Sequence, residues 1–151
     1  DEISAILGLD KEYRMVIMGA GNLGQAIAKY THFHKQGFKV CGVFEISPNL
    51  IGKDLDGIEI MDYENIVEYV EEEEIDIGII CVNQNNAQEV ADKLSFAGVK
   101  GIWNFAPTDI EVPKHVALEN VHLSDSLHSL AYHMNDIQKK DQSKEKAKKE
   151  E

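Results

Sequence analysis

Short apolar runs alternate with stretches of helical periodicity along most of this chain, and this alternation limits its fold more than any other feature. Predicted helices follow Gly19 up to the stop at Gly37 and cover residues 63–72, 86–97 and 124–137. Predicted strands lie at residues 14–19, 39–45, 58–61, 76–82, 100–105 and 116–122. Such alternation indicates a mostly parallel sheet with helices on both faces. Ligands bind such sheets beyond the carboxyl ends of the strands.

The length of 151 residues and an apolar share of 43% suit one globular domain. A net charge of −12 disfavours an electrostatic grip on nucleic-acid phosphates over most of the surface. No apolar run approaches the ~18–20 residues of a membrane span. The two cysteines, Cys41 and Cys81, cannot build a disulfide framework, so we expect a reducing, cytoplasmic location and inert thiols.

Three segments are expected. Residues 1–10 have a weak helical pattern, typical of the end of a connector from an upstream domain. Residues 11–136 form the domain itself. Residues 137–151 carry six lysines against four acids and have no apolar stripe, so we expect a disordered tail.

A G-x-G-x-x-G motif follows the first predicted strand and opens the first predicted helix, which is the context of a dinucleotide-binding turn. Gly19 permits the tight turn, Gly21 lets a pyrophosphate approach the backbone, and Gly24 lets the helix pack on the strand. The fold class expected is therefore α/β, of the Rossmann type and doubly wound. The motif reads Gly19-Ala20-Gly21-Asn22-Leu23-Gly24.

Glu45 ends the second predicted strand, 21 residues beyond Gly24. A carboxylate there can accept hydrogen bonds from the ribose hydroxyls of adenosine and would repel a 2′-phosphate. The expected cofactor is therefore NAD or NADH rather than the phosphorylated form. A turn acid before Ser47-Pro48 is the structural alternative.

Later strand ends supply further candidates. Val82 closes the buried run 76–82, and Asn83 follows it. Asn104 lies at the end of the next strand, ahead of Phe105-Ala106-Pro107. Both asparagines are candidates to line the crevice around the nicotinamide ribose, and capping of turns or helices is the alternative for each.

No catalytic residue and no metal site are expected. A dehydrogenase needs a proton-transfer residue and a pocket for its second substrate, usually supplied by another domain. His32 and His34 are two residues apart on a predicted helix and do not share a face. The final predicted helix carries an apolar stripe of about four turns that packs either on another subunit or on its own sheet.

Several stretches together resemble the nicotinamide-binding domain of the Rex family of redox-sensing transcriptional repressors. The matching residues are 6–11, 19–30, 33–60, 87–107 and 119–132. The resemblance implies a homodimer whose C-terminal helix is exchanged between subunits. It also implies a sensor of the NADH/NAD+ ratio that controls DNA binding through an N-terminal winged helix outside these residues.

The resemblance also assigns site residues. Gly19 to Gly24 match the pyrophosphate loop, and Glu45 takes an acid position that is usually Asp. Tyr30 matches an aromatic residue near the nicotinamide, and Phe105, Ala106 and Pro107 match the loop beneath the ring. His122 departs from the family, which commonly has an Asp there that pairs with the tyrosine across the dimer. The alternatives are the dinucleotide-binding half of an NAD-dependent oxidoreductase and a CoA-binding domain.

Overall fold

The computed structural model describes residues 11–150. The expected connector, residues 1–10, lies outside them. The chain divides between Val121 and His122 into two compact units, and each is described by itself.

One sheet organises the first unit. Its strands are β1 (Tyr13–Met18), β2 (Phe38–Glu45), β3 (Asp54–Leu55), β4 (Ile58–Asp62), β5 (Ile77–Ile80), β6 (Gly101–Asn104) and β7 (Ala117–Asn120). Their spatial order is β3-β4-β2-β1-β5-β6-β7. All neighbouring pairs are parallel except the short β3–β4 hairpin. The predicted mostly parallel, Rossmann-type sheet is therefore confirmed.

Helices connect the parallel strands. They are α1 (Asn22–Ala28), α2 (His32–Lys35), α3 (Ile66–Glu72) and α4 (Gln84–Ala97), with a 3-10 turn at Tyr63–Asn65. The second unit contains one long helix, α5 (Leu123–Glu150). Strand order reverses between β1 and β5, so the carboxyl ends of these two strands flank the crevice where such sheets bind ligands.

The central strands are apolar on both sides because helices cover both faces of the sheet. On one face α3 and α4 pack on side chains of β1, β2, β5 and β6, with Leu94 and Val90 fully buried. On the other face Ile27 of α1 packs over Met15 and Ile17 of β1.

Among residues 11–121, the helices cover the second face only in part. Beside α2 they leave an apolar groove of about 430 Å³ over β5, β6 and β7. Its walls include Met15, Phe33, Phe38, Ile77 and Trp103. We call this surface the sheet groove.

Two predicted helices differ from the structure. The helix expected to run from Gly19 to Gly37 is broken between Ala28 and His32. The Tyr30 amide donates to the Ile27 carbonyl three residues back, which tightens the last turn and ends α1.

The residues expected to form a disordered tail are helical in the structure, up to Glu150. Lysine, glutamate, glutamine and alanine are good helix formers without any core to pack on. Asp136 and Lys140 add an ion pair of 3.3 Å across one turn.

Within the second unit, the apolar stripe of α5 has no other element to pack on. The side chains concerned are Leu123, Leu127, Leu130, Met134 and Ile137, each at least half exposed. Among the helices of the described residues, none combines the length and apolar character that crossing a bilayer requires.

Asp76 is a buried carboxylate just before β5, at the amino edge of the sheet. One oxygen accepts the Arg14 amide at 3.0 Å, and the other lies 3.1 Å from the Lys11 ammonium and 3.8 Å from that of Lys100. Burial alone favours the neutral acid. The Arg14 amide and the two ammonium groups outweigh burial and hold the pKa of Asp76 below its usual value.

Asp76→Asn is expected to lower the free energy of unfolding by about 1–3 kcal/mol near neutral pH, because a charged acceptor is lost. Since the folded pKa is the lower one, the wild-type advantage exists above the unfolded pKa and is lost as pH falls through the folded pKa. Urea unfolding from pH 7 downward measures it, with Glu59→Gln on the exposed side of β4 as control. A difference that stays constant with pH would contradict the assignment.

Candidate functional site

The carboxyl ends of β1, β2, β5 and β6 bring most of the predicted residues to one edge of the sheet. Gly19 follows β1 directly, and Glu45 ends β2. Val82 and Asn83 follow β5, and Asn104 ends β6. The parallel register places Asn104 beside Ile80. The structure thus assembles in space a set that is scattered over more than 80 residues of sequence.

The three motif glycines differ in their surroundings. Gly19 has φ +111°, a conformation that disfavours side chains, and an added Cβ would lie 2.7 Å from the Cys81 carbonyl oxygen. At Gly24 an added Cβ would collide with the Gly19 carbonyl. At Gly21 an added Cβ would meet no neighbouring atom within 4 Å. The first and last glycines are therefore needed for packing, whereas Gly21 opens onto free space.

The loop residues between the glycines divide in the same way. Ala20 is fully buried and joins the core beneath the loop. Asn22 and Leu23 are exposed on the first turn of α1. Gly21 is the N-cap of that helix and provides no side-chain cap. At Gly21 the loop therefore presents bare backbone, which a phosphate group can approach most closely.

Glu45 lies directly beside this loop. One carboxylate oxygen accepts the Ala20 amide at 3.1 Å, and the other accepts the Ser47 amide at 2.5 Å. The side chain is half-buried. Glu45 therefore stabilises the turn after β2, the alternative role considered from the sequence, and also holds the glycine loop in place.

Gln25 holds the loop from its other side and was missed in the sequence analysis. Its side-chain amide donates to the Ala20 carbonyl at 2.8 Å. Its place immediately after the last motif glycine was the available signal. Ala20 is thus held through both its amide and its carbonyl, by Glu45 and by Gln25.

Asn83 caps α4. Its side-chain oxygen accepts the Asn85 amide at 3.1 Å, which is the alternative that the sequence left open. Asn83 is exposed at the site edge, and Val82 beside it is half-buried and packs against the core under α4.

Asn104 does not line the crevice, as was predicted for it, but lies inside the fold. Its side chain is fully buried. It donates to the Thr108 carbonyl and the Asn120 side chain, both at 2.9 Å, and accepts the Ala106 amide at 3.0 Å. Three neighbouring groups use its hydrogen-bonding capacity, so it shapes the loop after β6 instead of presenting itself to a ligand.

Tyr30 and Phe105, predicted separately, lie at the two ends of one row of aromatic rings. Tyr30 contacts Phe33 with ring centroids 4.6 Å apart, Phe33 contacts Trp103 at 6.0 Å, and Trp103 contacts Phe105 at 4.7 Å. Tyr30 itself is about half exposed. Ala106 is buried and Pro107 is exposed, so mainly backbone and the proline ring face outward in this loop.

His122 belongs to the second unit, where its carbonyl accepts the Asp125 amide at 3.0 Å at the start of α5. The two cysteines are free thiols. Burial raises the pKa of Cys81 to about 12 and also raises that of Cys41, so both are protonated at neutral pH. Residues 11–150 contain no cluster of histidine, cysteine and acidic side chains fit to hold a metal ion.

A glycine loop and a neighbouring acid at the switch point of a parallel sheet define a nucleotide-binding domain, and the comparisons with known proteins agree. Residues 10–108 match the family model described as CoA binding domain, and the chain belongs to that family. Within it, the resemblance to Rex proteins is confirmed. The redox-sensing transcriptional repressor Rex of Thermoanaerobacter sp. (strain X514) is 52% identical over 136 residues, which are 90% of this chain and 61% of the relative.

Solved structures extend this similarity. RSP, a Rex-family repressor, in complex with β-NADH is 51% identical, with a TM-score of 0.85 over 91% of this chain and 66% of that one. RSP with β-NAD+ and operator DNA is 50% identical, with a TM-score of 0.86 over 95% and 66%. The chain spans about three fifths of the length of the curated Rex relative.

Gly24→Ala is expected to destabilise the fold by at least about 2 kcal/mol, because the new methyl group meets the Gly19 carbonyl in a packed turn. Gly21→Ala is the matched control. Its φ of −74° suits any residue and its Cβ enters free space, so the change stays within about 0.5 kcal/mol. Urea unfolding compares the two, and equal losses would refute the packing argument.

Proposed function

We propose that this chain is the NAD(H)-binding, redox-sensing domain of a Rex-type transcriptional repressor, which responds to the NADH/NAD+ ratio and performs no turnover. The observation that carries the proposal is the open backbone at Gly21 beside the Glu45 carboxylate. The relative RSP, 51% identical, has been solved with β-NADH. The proposed location is the cytoplasm, where free thiols such as Cys41 and Cys81 stay reduced.

The pyrophosphate would lie against the loop from Gly19 to Gly24. Glu45 would turn its carboxylate to the adenosine ribose hydroxyls while the Ala20 amide keeps it in place. Toward β5 and β6, the nicotinamide ribose and ring would lie near Val82, Asn83 and the Phe105–Pro107 loop. Tyr30, at the exposed end of the aromatic row, would approach the ring.

CoA is the second candidate, because the matching family model carries that description. CoA has a phosphorylated adenosine ribose, and Glu45 would put a negative charge near that phosphate. The arrangement fits an unmodified ribose diol better. An oxidoreductase half is less well supported, since the similar proteins reported above are repressors.

Titration of the chain with NADH, NADPH and CoA tests this assignment. We expect NADH to bind most tightly. Glu45→Ala is expected to weaken NADH binding by about 1.5–3 kcal/mol, the usual worth of a hydrogen bond to a charged group, and to narrow the preference over NADPH. Glu45→Gln keeps the side-chain size and one of the two acceptors but removes the charge, and it separates the repulsion of NADPH from the loss of side-chain volume. Tighter binding of CoA than of NADH by the wild type would overturn the proposal.

Control of DNA is proposed to act through a winged helix upstream of these residues. RSP has been solved with operator DNA, and this chain covers 66% of it. The charge supports a separate DNA-binding segment, because a net charge of −12 on this chain disfavours contacts between the sensing domain and DNA phosphates.

Homodimerisation through α5 is the second part of the proposal. The helix exposes an apolar stripe, and the sheet groove of the first unit is apolar as well. Surfaces of this kind are commonly buried between subunits. In a dimer that exchanges α5, His122 would lie at the start of the exchanged helix, near the partner's nicotinamide.

Leu130→Asp is expected to convert a dimer to monomers at micromolar concentration, because it places a charge in the middle of the apolar stripe. Ser129→Asp adds the same charge one residue away on another face of α5 and serves as the control. Sedimentation velocity distinguishes the species. A wild type that sediments as a monomer would refute dimerisation through α5.

A further inference from the structure

Gln88 on α4 binds both backbone groups of a single residue in the loop between β6 and β7. Its side-chain amide donates to the Glu111 carbonyl at 2.9 Å, and its side-chain oxygen accepts the Glu111 amide at 2.9 Å. Asp92, one turn further along α4, accepts a further hydrogen bond from the same amide group at 2.9 Å. Only a carboxamide offers a donor and an acceptor side by side in this way, so glutamine at this position is a specific choice.

The bound loop is the one that opens with Phe105-Ala106-Pro107. Asn104 fixes its beginning through the Ala106 amide and the Thr108 carbonyl. Ile110 is buried in the core under α4. Gln88 then closes the far end at Glu111, so the segment from residue 105 to residue 111 is tied at both ends and in its middle.

The helix that carries Gln88 also begins at the site. Its N-cap is Asn83, which follows β5 at the carboxyl edge of the sheet, five residues before Gln88. The two elements predicted for the nicotinamide half, the start of α4 and the loop after β6, are therefore joined by one side chain. The adenosine half depends instead on the glycine loop and Glu45, on the other side of the crevice.

We propose that Gln88 is a positioning residue for the nicotinamide half of the bound dinucleotide. It holds residues 105–111 against α4, so the loop backbone is ordered before the ligand arrives. The free energy of binding then does not include the entropy lost in ordering this loop. This inference rests on the proposed NAD(H) function. It adds a distinct requirement, because Gln88 acts through its two hydrogen bonds to the Glu111 backbone and not through the ligand itself.

The test compares NADH with ADP-ribose, which lacks the nicotinamide ring. Gln88→Ala is expected to weaken NADH binding about threefold to tenfold, the worth of two modest hydrogen bonds, and to leave ADP-ribose affinity within about twofold. Asp92→Ala is the matched control, because it removes the Asp92 contact and leaves both bonds to Glu111. It is expected to change neither affinity.

Hydrogen exchange provides a readout that does not involve a nucleotide. The Glu111 amide is expected to be protected in the wild type and in Asp92→Ala, and to exchange faster in Gln88→Ala, with the melting temperature nearly unchanged. Equal losses for NADH and ADP-ribose, no loss for either, or unchanged exchange at Glu111 would each overturn the positioning role. A wild type that binds neither nucleotide while Glu111 is protected would overturn the proposed function instead.

Discussion

The Gly24 backbone lies so close to the Gly19 carbonyl that no side chain fits between them, and the rest of the site depends on this contact. It brings the first turn of α1 against the end of β1, and the chain between them must curl through the positive φ of Gly19. The curl leaves Gly21 outermost and turns the Ala20 amide toward Glu45 at 3.1 Å. A side chain at either end of this turn would shift the helix, and the acid on β2 would lose its partner.

Much of this arrangement could be predicted from the sequence because it depends on local rules. The strand–helix alternation gave the parallel sheet, and the spacing of the glycines and Glu45 located the crevice. The predicted turn at Gly19 and the close packing at Gly24 agree with their surroundings, and Gly21 opens onto free space. The turn itself is encoded by single glycines and their neighbours, whereas its contacts with Cys81 and Glu45 come from the strands on either side of β1.

Side chains whose role depends on distant partners were less predictable. Asn104 ends a strand as expected, but its bonds to Thr108 and Asn120 depend on how the following loop returns to β7. Gln88 lies 23 residues from Glu111, and no periodicity indicates their contact. The lack of an apolar stripe after residue 137 predicts disorder, yet α5 continues to Glu150, because helix propensity is independent of such a stripe.

The row of aromatic rings has an optical consequence. Trp103 is the only tryptophan of the chain, and it lies between Phe33 and Phe105, with Tyr30 at the far end of the same row. The ultraviolet emission of indole overlaps the absorption band of a reduced nicotinamide, and an oxidised nicotinamide lacks that band. A ligand ring near Tyr30 would therefore quench this one fluorophore by energy transfer in its reduced form only. Under the proposed function, the emission of Trp103 would fall when the bound nicotinamide is reduced and would escape this energy transfer when it is oxidised.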